Sequence, residues 1–202
     1  MKIAIIGTGA VGGFLGAKLA LAGFDVSFLA RGKNLAAMIS QGLKFETGGK
    51  IYTIKNAIFT DNPKELGTPD YILFTTKSYD SRNTAEQIKS IIGKNTYVIT
   101  PQNGINNDLI LSEIIGKEKV IQAMIKIGVN TPQPGVVKHS SLGILIIGEY
   151  DGTYSERIKS FETVGKKAGI EIIVSKNIQV DRWKKYIWNC TFNIICATTG
   201  FS

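Results

Sequence analysis

Residues 2–13, Lys-Ile-Ala-Ile-Ile-Gly-Thr-Gly-Ala-Val-Gly-Gly, carry a short apolar strand straight into G-x-G-x-x-G and then into a helical pattern, with Val11, Leu15, Leu19 and Ala20 at helical spacing. Strand, tight turn and helix in that order predict the opening of a βαβ unit. Gly7 permits the turn, Gly9 lets the backbone approach a phosphate, and Gly12 lets the helix pack close to the strand. The helix's first N–H groups, with the positive end of its dipole behind them, then face an anion. Gly7, Thr8, Gly9, Ala10, Val11 and Gly12 are therefore expected to cradle the pyrophosphate of NAD or NADP.

The end of the second strand decides between the two cofactors: a carboxylate there would bond a ribose 2′-OH, an arginine a 2′-phosphate. The segment Asp25-Val-Ser-Phe-Leu-Ala30 ends in Arg31, and Asp25 lies at its beginning, on the wrong end of the sheet. Arg31 favours NADP, since a guanidinium can grip a phosphate through two parallel hydrogen bonds. Lys77, in Thr75-Thr76-Lys77-Ser78 after another apolar strand, could reach cofactor phosphate or ribose at the same rim; a plain helix-start lysine is the other reading.

A chain of 202 residues with 44% apolar content supports one full domain and part of a second. No apolar run approaches the roughly 20 residues of a membrane span, and the N-terminus lacks a signal-peptide pattern, so a cytoplasmic location without membrane partners is expected. The net charge of +8 comes from scattered lysines, with pairs such as Lys166-Lys167 and Lys184-Lys185 as the densest groups, which argues against nucleic acid. Cys190 and Cys196 point to different faces of one helix, suiting neither a disulfide nor a metal pair; both read as small core residues.

Strand and helix patterns alternate along the chain. A helix near Leu35–Ser40 leads to a two-strand excursion at Leu43–Phe45 and Ile51–Ile58. Then come a strand at Tyr71–Phe74, a helix at Ser81–Ile92, a strand at Tyr97–Thr100 and a helix at Asn106–Ile115. Extended runs at Ile121–Val129, Gly135–His139 and Gly143–Gly148 predict antiparallel strands closing one edge of the sheet. A helix at Ser155–Ala168 and a strand at Ile170–Val174 follow. The expected fold class is α/β, a Rossmann-type doubly wound sheet over 1–176. Residues 177–202 read as one long helix opening a helical second domain.

On that last helix Lys185, Asn189 and Asn193 recur every four residues and project within about 80° of one another. Polar groups on a largely apolar helix need a partner, because each one buried and unpaired costs on the order of 1 to 3 kcal/mol. A ligand is one such partner; a snorkelling lysine and asparagines bonded to backbone are the other reading. Pro101-Gln102-Asn103-Gly104 follows a strand directly, where the carboxyl ends of parallel strands open onto a ligand crevice. Asn103-Gly104 is also an ordinary turn pair.

Taken in order, Gly7–Gly13, Arg31, Thr76-Lys77, Gln102-Asn103-Gly104 and W-x-K-x-x-x-N-x-x-x-N from Trp183 to Asn193 resemble the ketopantoate reductases. The resemblance covers essentially the whole chain, as the N-terminal two-thirds of such an enzyme. It implies NADPH-dependent reduction of 2-dehydropantoate to pantoate, with Lys185 as general acid and Asn103 orienting substrate and nicotinamide. Asn189 and Asn193 would bind the ketoacid, and Arg31 and Lys77 the adenosine phosphate end. Trp183 and Trp188 are expected to desolvate Lys185 and lower its pKa. The substrate-domain serine and glutamate that the family uses lie outside this sequence. A reductase of another 2-ketoacid, or a non-catalytic NADP-binding module, would present the same residues. An apolar terminal helix with Trp183, Trp188 and Phe192 suits packing on the rest of its own domain or on a second copy in a homodimer.

Overall fold

The computed structural model describes residues 1–200. Its strands are β1 (Lys2–Ile6), β2 (Asp25–Leu29), β3 (Leu43–Thr47), β4 (Lys50–Ile54), β5 (Ile58–Thr60), β6 (Tyr71–Phe74), β7 (Tyr97–Thr100), β8 (Val120–Asn130), β9 (Val136–Gly148) and β10 (Glu171–Val174). The helices are α1 (Ala10–Leu21), α2 (Gly32–Gln41), α3 (Ser81–Ile88), α4 (Asn107–Ile115), α5 (Glu156–Lys167) and α6 (Ile178–Thr199).

All ten strands form one sheet, ordered β4-β3-β9-β8-β7-β6-β1-β2-β5, with β10 also pairing with β9. The run β5-β2-β1-β6-β7-β8 is parallel throughout. In chain order of those six strands it reads 3-2-1-4-5-6, the doubly wound Rossmann arrangement, whose order reverses between β1 and β6. Gly7 follows β1 and Thr75 follows β6, so the glycine turn and the Thr75–Lys77 loop flank the crevice that such a reversal opens.

Both faces of β1 are covered, which explains its unbroken apolar run. Ile3 and Ile5 join Phe14, Leu15, Phe28, Leu73, Ile121 and Phe161 on one side, beneath α1 and α5. Ala4 and Ile6 join Ile72, Phe74, Val98, Ile88 and Leu111 on the other, beneath α3 and α4. Each such fully buried isoleucine or phenylalanine contributes roughly 1.5–3 kcal/mol.

Four sequence expectations are corrected. The segment read as one strand over Ile51–Ile58 breaks after Ile54, and Ile58–Thr60 becomes β5, the parallel neighbour of β2. At three residues it is too short to show a period. Gly135–His139 and Gly143–Gly148 belong to one long strand, β9, which keeps its pairing to β8 through register shifts near Leu142, a residue with φ +59°. That antiparallel pair does not close the sheet, because the β3–β4 hairpin returns to pair with the start of β9 and β10 with its end. Cys190 is exposed and Cys196 half-buried, so neither is a core residue here.

The first turns of α6 rest on the domain: Ile178 is buried with Met124 and Ile146. From Trp183 onward the helix presents exposed Trp183, Ile187, Trp188, Phe192, Ile194 and Ile195. Among the described residues no helix is long and apolar enough to cross a membrane.

Candidate active site

A cavity of about 300 Å³ occupies the crevice at the strand reversal. It is lined by Gly7, Thr8, Gly9, Leu29, Ala30, Arg31, Asn34, Asp61, Thr75, Thr76, Lys77, Asp80, Thr84 and Gln87. The glycine turn is backbone-built. Gly7 has φ +93°, and a Cβ there would lie 2.7 Å from the Thr76 nitrogen. A Cβ on Gly12 would lie 2.4 Å from Thr75 Oγ1 and 2.5 Å from the Gly7 carbonyl oxygen. Thr75 Oγ1 itself donates to that carbonyl at 2.8 Å, locking the turn after β1 to the end of β6.

Gly9 differs: a Cβ there would meet nothing within 4 Å, so no protein atom demands a glycine. Gly9 is the N-cap of α1, no side chain caps that helix, and its first turn contains no acidic residue. The first-turn N–H groups at Ala10, Val11 and Gly12 thus lack both an intrahelical acceptor and a competing carboxylate. This donor set, open beside Gly9, fits a pyrophosphate.

Thr8 donates through its hydroxyl to the Leu29 carbonyl at 3.1 Å, which fixes the turn against β2. Asn34 clamps it from above: Nδ2 donates to the Thr8 carbonyl at 2.5 Å, while Oδ1 accepts from the Gly135 N–H at 2.8 Å. Lys77 and Arg31 both line the cavity. Arg31 is not free, since its Nη2 donates to Asp80 Oδ2 at 2.6 Å.

The second site lies at the same sheet rim. β8 overshoots β7: Thr100, the end of β7, pairs with Gln122, so Ile125 stands three residues beyond the rim. Lys185 of α6 donates to the Ile125 carbonyl at 2.5 Å and to Asn103 Oδ1 at 3.0 Å. A small cavity beside it is lined by Gln102, Asn103, Gly104, Met124, Arg182, Lys185, Tyr186 and Asn189. Asn193, one turn further along α6, is exposed and outside that lining. Lys185, Asn103 and Asn189 are therefore brought together, and Asn193 is not.

Burial, followed by the nearby positive charge of Lys126, lowers the Lys185 pKa to about 8. Around Lys185 lie the Ile125 carbonyl of β8 and the Asn103 side chain of the loop after β7, while Trp183 and Trp188 are both more than half exposed.

The loop carrying Asn103 is pinned from beneath. Gln102 Nε2 donates to the Thr76 carbonyl at 2.8 Å and to Ser81 Oγ at 2.9 Å, and its Oε1 accepts from Thr100 Oγ1 at 2.9 Å. Asn107 Nδ2 donates to the Asn103 carbonyl at 2.8 Å. Gln102 thus serves as a brace, and it ties this loop to the Thr75–Lys77 loop of the cofactor cavity.

One set of residues has no precursor in the sequence reading. Arg182 donates to Asp108 Oδ1 at 2.5 Å with both side chains almost fully buried. Gln122 and Tyr150 each donate to Asp108 Oδ2 at 2.5 Å. Burial alone would raise the Asp108 pKa, but the hydrogen bonds from Arg182, Tyr150 and Gln122 bring it below the usual carboxylate value. Tyr150 is pushed up to about 12 by burial and by Asp108. This cluster bolts α4 to α6 one turn before Lys185, fixing the helix that carries it. Nothing in the helix sequence singles out Arg182 among Asp181, Lys184 and Lys185, and its partner lies 74 positions away.

The family model described as "Ketopantoate reductase PanE/ApbA" matches residues 3–152. The chain belongs to the ketopantoate reductase family. A 2-dehydropantoate 2-reductase of Pyrococcus horikoshii is 34% identical over 197 residues, covering 98% of this chain and 64% of that protein. Another, from Mesorhizobium japonicum, is 31% identical, covering 99% of this chain and 68% of its own length. The chain therefore spans about two thirds of the ketopantoate reductases it matches. A crystal structure of 2-dehydropantoate 2-reductase from Geobacter metallireducens superposes with TM-score 0.90 at 31% identity, covering 98% of this chain and 65% of that one. The fold is also that of D-mandelate dehydrogenase, solved with NADH and anilino(oxo)acetate, at TM-score 0.90 and 24% identity, covering 97% of this chain and 64% of that one.

Proposed function

We propose that this ketopantoate reductase chain carries the cofactor cleft and the general acid for NADPH-dependent reduction of 2-dehydropantoate to pantoate, on the route to pantothenate and coenzyme A. In this reading residues 1–176 form the cofactor domain and 177–202 the first helix of the substrate domain. The observation that carries it is Lys185 Nζ, 3.0 Å from Asn103 Oδ1, at the sheet rim that also bears the glycine turn.

NADPH, when bound, supplies the hydride that converts the ketone carbon to an alcohol carbon. Gly7 to Gly12 hold the pyrophosphate through backbone N–H groups, while Arg31 and Lys77 face the adenosine phosphate end. Lys185 donates a hydrogen bond to the substrate's ketone oxygen and gives up a proton as negative charge develops there. Asn103, held by Asn107, orients Lys185 and the substrate, and Asn189 binds a second polar group of the ketoacid. A pKa of about 8 suits this role, leaving the ammonium mostly protonated at neutral pH yet willing to release its proton.

A reductase of another 2-oxo acid is the second reading. Lys185, Asn103 and Asn189 address the polar atoms that all 2-oxo acids share, and Met124 is the single apolar non-aromatic side chain lining their cavity. NADPH oxidation by the 202-residue chain, with 2-dehydropantoate and with phenylglyoxylate in parallel, separates the two. Turnover of 2-dehydropantoate that is lost in Lys185→Ala supports the first reading, and preference for phenylglyoxylate supports the second. Tight NADPH binding without turnover of either acid marks a cofactor-binding module.

A further inference from the structure

Asp80 immediately precedes α3, the position from which an aspartate ordinarily accepts a hydrogen bond from the first helical turn. Its carboxylate caps nothing there. It reaches instead to Arg31, 49 positions earlier in the chain. The Arg31 side chain is 75% exposed and that of Asp80 only 23%, so the carboxylate is the anchored partner and the guanidinium comes to it. Both residues line the large cavity, together with Lys77 and Asp61. The lining thus holds two cations and two carboxylates, and it offers a doubly charged phosphate no formal excess of positive charge.

We propose that Asp80 is a specificity-determining residue of the cofactor cleft: as the counterion of Arg31, it narrows the margin by which NADPH is preferred over NADH. The proposal rests on assigning this cavity to a nicotinamide dinucleotide. A 2′-phosphate must take Arg31 from Asp80, and it then sits beside a carboxylate stripped of its partner; a 2′-hydroxyl requires neither. The phosphate still prevails, because a bidentate guanidinium–phosphate contact is stronger than a single exposed ion pair, but part of its advantage is consumed in the exchange. Asp80 lines the large cavity and not the one beside Lys185, so its effect is expected on cofactor choice and not on the chemical step.

The test is a fluorescence titration of NADPH and of NADH against the unmodified chain, Asp80→Asn, Arg31→Ala and the double variant, at low and at high salt. Asp80→Asn is expected to tighten NADPH by about three- to tenfold while leaving NADH within about twofold. That gain should disappear in the Arg31→Ala background and shrink at high salt. Asp80→Ser, which also removes the charge and places a good N-cap residue before α3, should give the same shift and serves if the asparagine variant is unstable. Equal changes for both dinucleotides, no change for either, or a full gain without Arg31 would overturn the role of Asp80 while leaving the cofactor cleft intact. Binding of neither dinucleotide by the unmodified chain would overturn the cleft assignment, and this inference with it.

Discussion

The cleft around Gly9 and the pocket around Lys185 sit on one sheet rim but are built by opposite means. The first is made of backbone: a contiguous turn, a helix end, and glycines whose missing Cβ atoms allow Thr75 and Thr76 to close in. The second is made of side chains drawn from distant parts of the chain, with Lys185 meeting Asn103 across 82 positions and the Ile125 carbonyl across 60. A backbone site is set by local conformation. A side-chain site depends on how one helix is bolted to a sheet, and here the bolt is Asp108–Arg182.

Lys185→Ala tests the sharpest form of that contrast. Turnover should fall by about 10²–10⁴-fold while NADPH binding stays within a factor of about two, since the two sites share a rim but not this side chain. Equal loss of binding and turnover would mean that they are not separable.

Asp108→Ala leaves the Arg182 guanidinium buried without its partner and should destabilise the fold by about 3–5 kcal/mol, read from urea or thermal unfolding. The sign of the pH effect follows from the lowered pKa of Asp108. Its contribution is fully present above the carboxylate's unfolded value and is lost as pH falls through the folded one. Acid unfolding of Asp108→Asn should therefore lack this component of the unmodified chain's transition.

With Lys185 as the proposed proton donor, the reduction rate should also decline as pH rises through about 8, where the ammonium is lost. Lys126→Ala removes the neighbouring positive charge and should move that decline to higher pH, whereas a profile indifferent to Lys126 would discount its influence. The smallest effect is expected from Asn193→Ala. Being exposed and outside the Lys185 cavity, it should cost turnover less than Asn189→Ala does in the same assay.

The contrast also explains what the sequence made legible. The glycine turn, most of the strand rhythm and the helical spacing of Lys185 and Asn189 are periodic or contiguous, and each of these lies on the element expected of it. Asn193 shares that spacing but is not covered, because four-residue repetition defines a helix face without saying how far along it the contact extends. Asp80 carries no signal in the sequence, because its pairing with Arg31 depends on the tertiary approach of two loops. Asn34, whose two ends clamp Thr8 and Gly135, was hidden for the same reason. β5 is too short to show a period, and β9 looked like two strands because Ser140, Ser141 and Gly143 interrupt its apolar pattern.

The open space beside Gly9 is assigned to a dinucleotide, and the decisive experiment is titration of NADPH into the unmodified chain and into Gly9→Ala. Because the added methyl would touch no protein atom and φ is −89° at this position, the variant should keep its melting temperature. It should nevertheless lose NADPH affinity by at least about tenfold, the equivalent of roughly 1.4 kcal/mol. Undiminished binding by Gly9→Ala, or no binding by the unmodified chain, would mean that this space does not hold a dinucleotide.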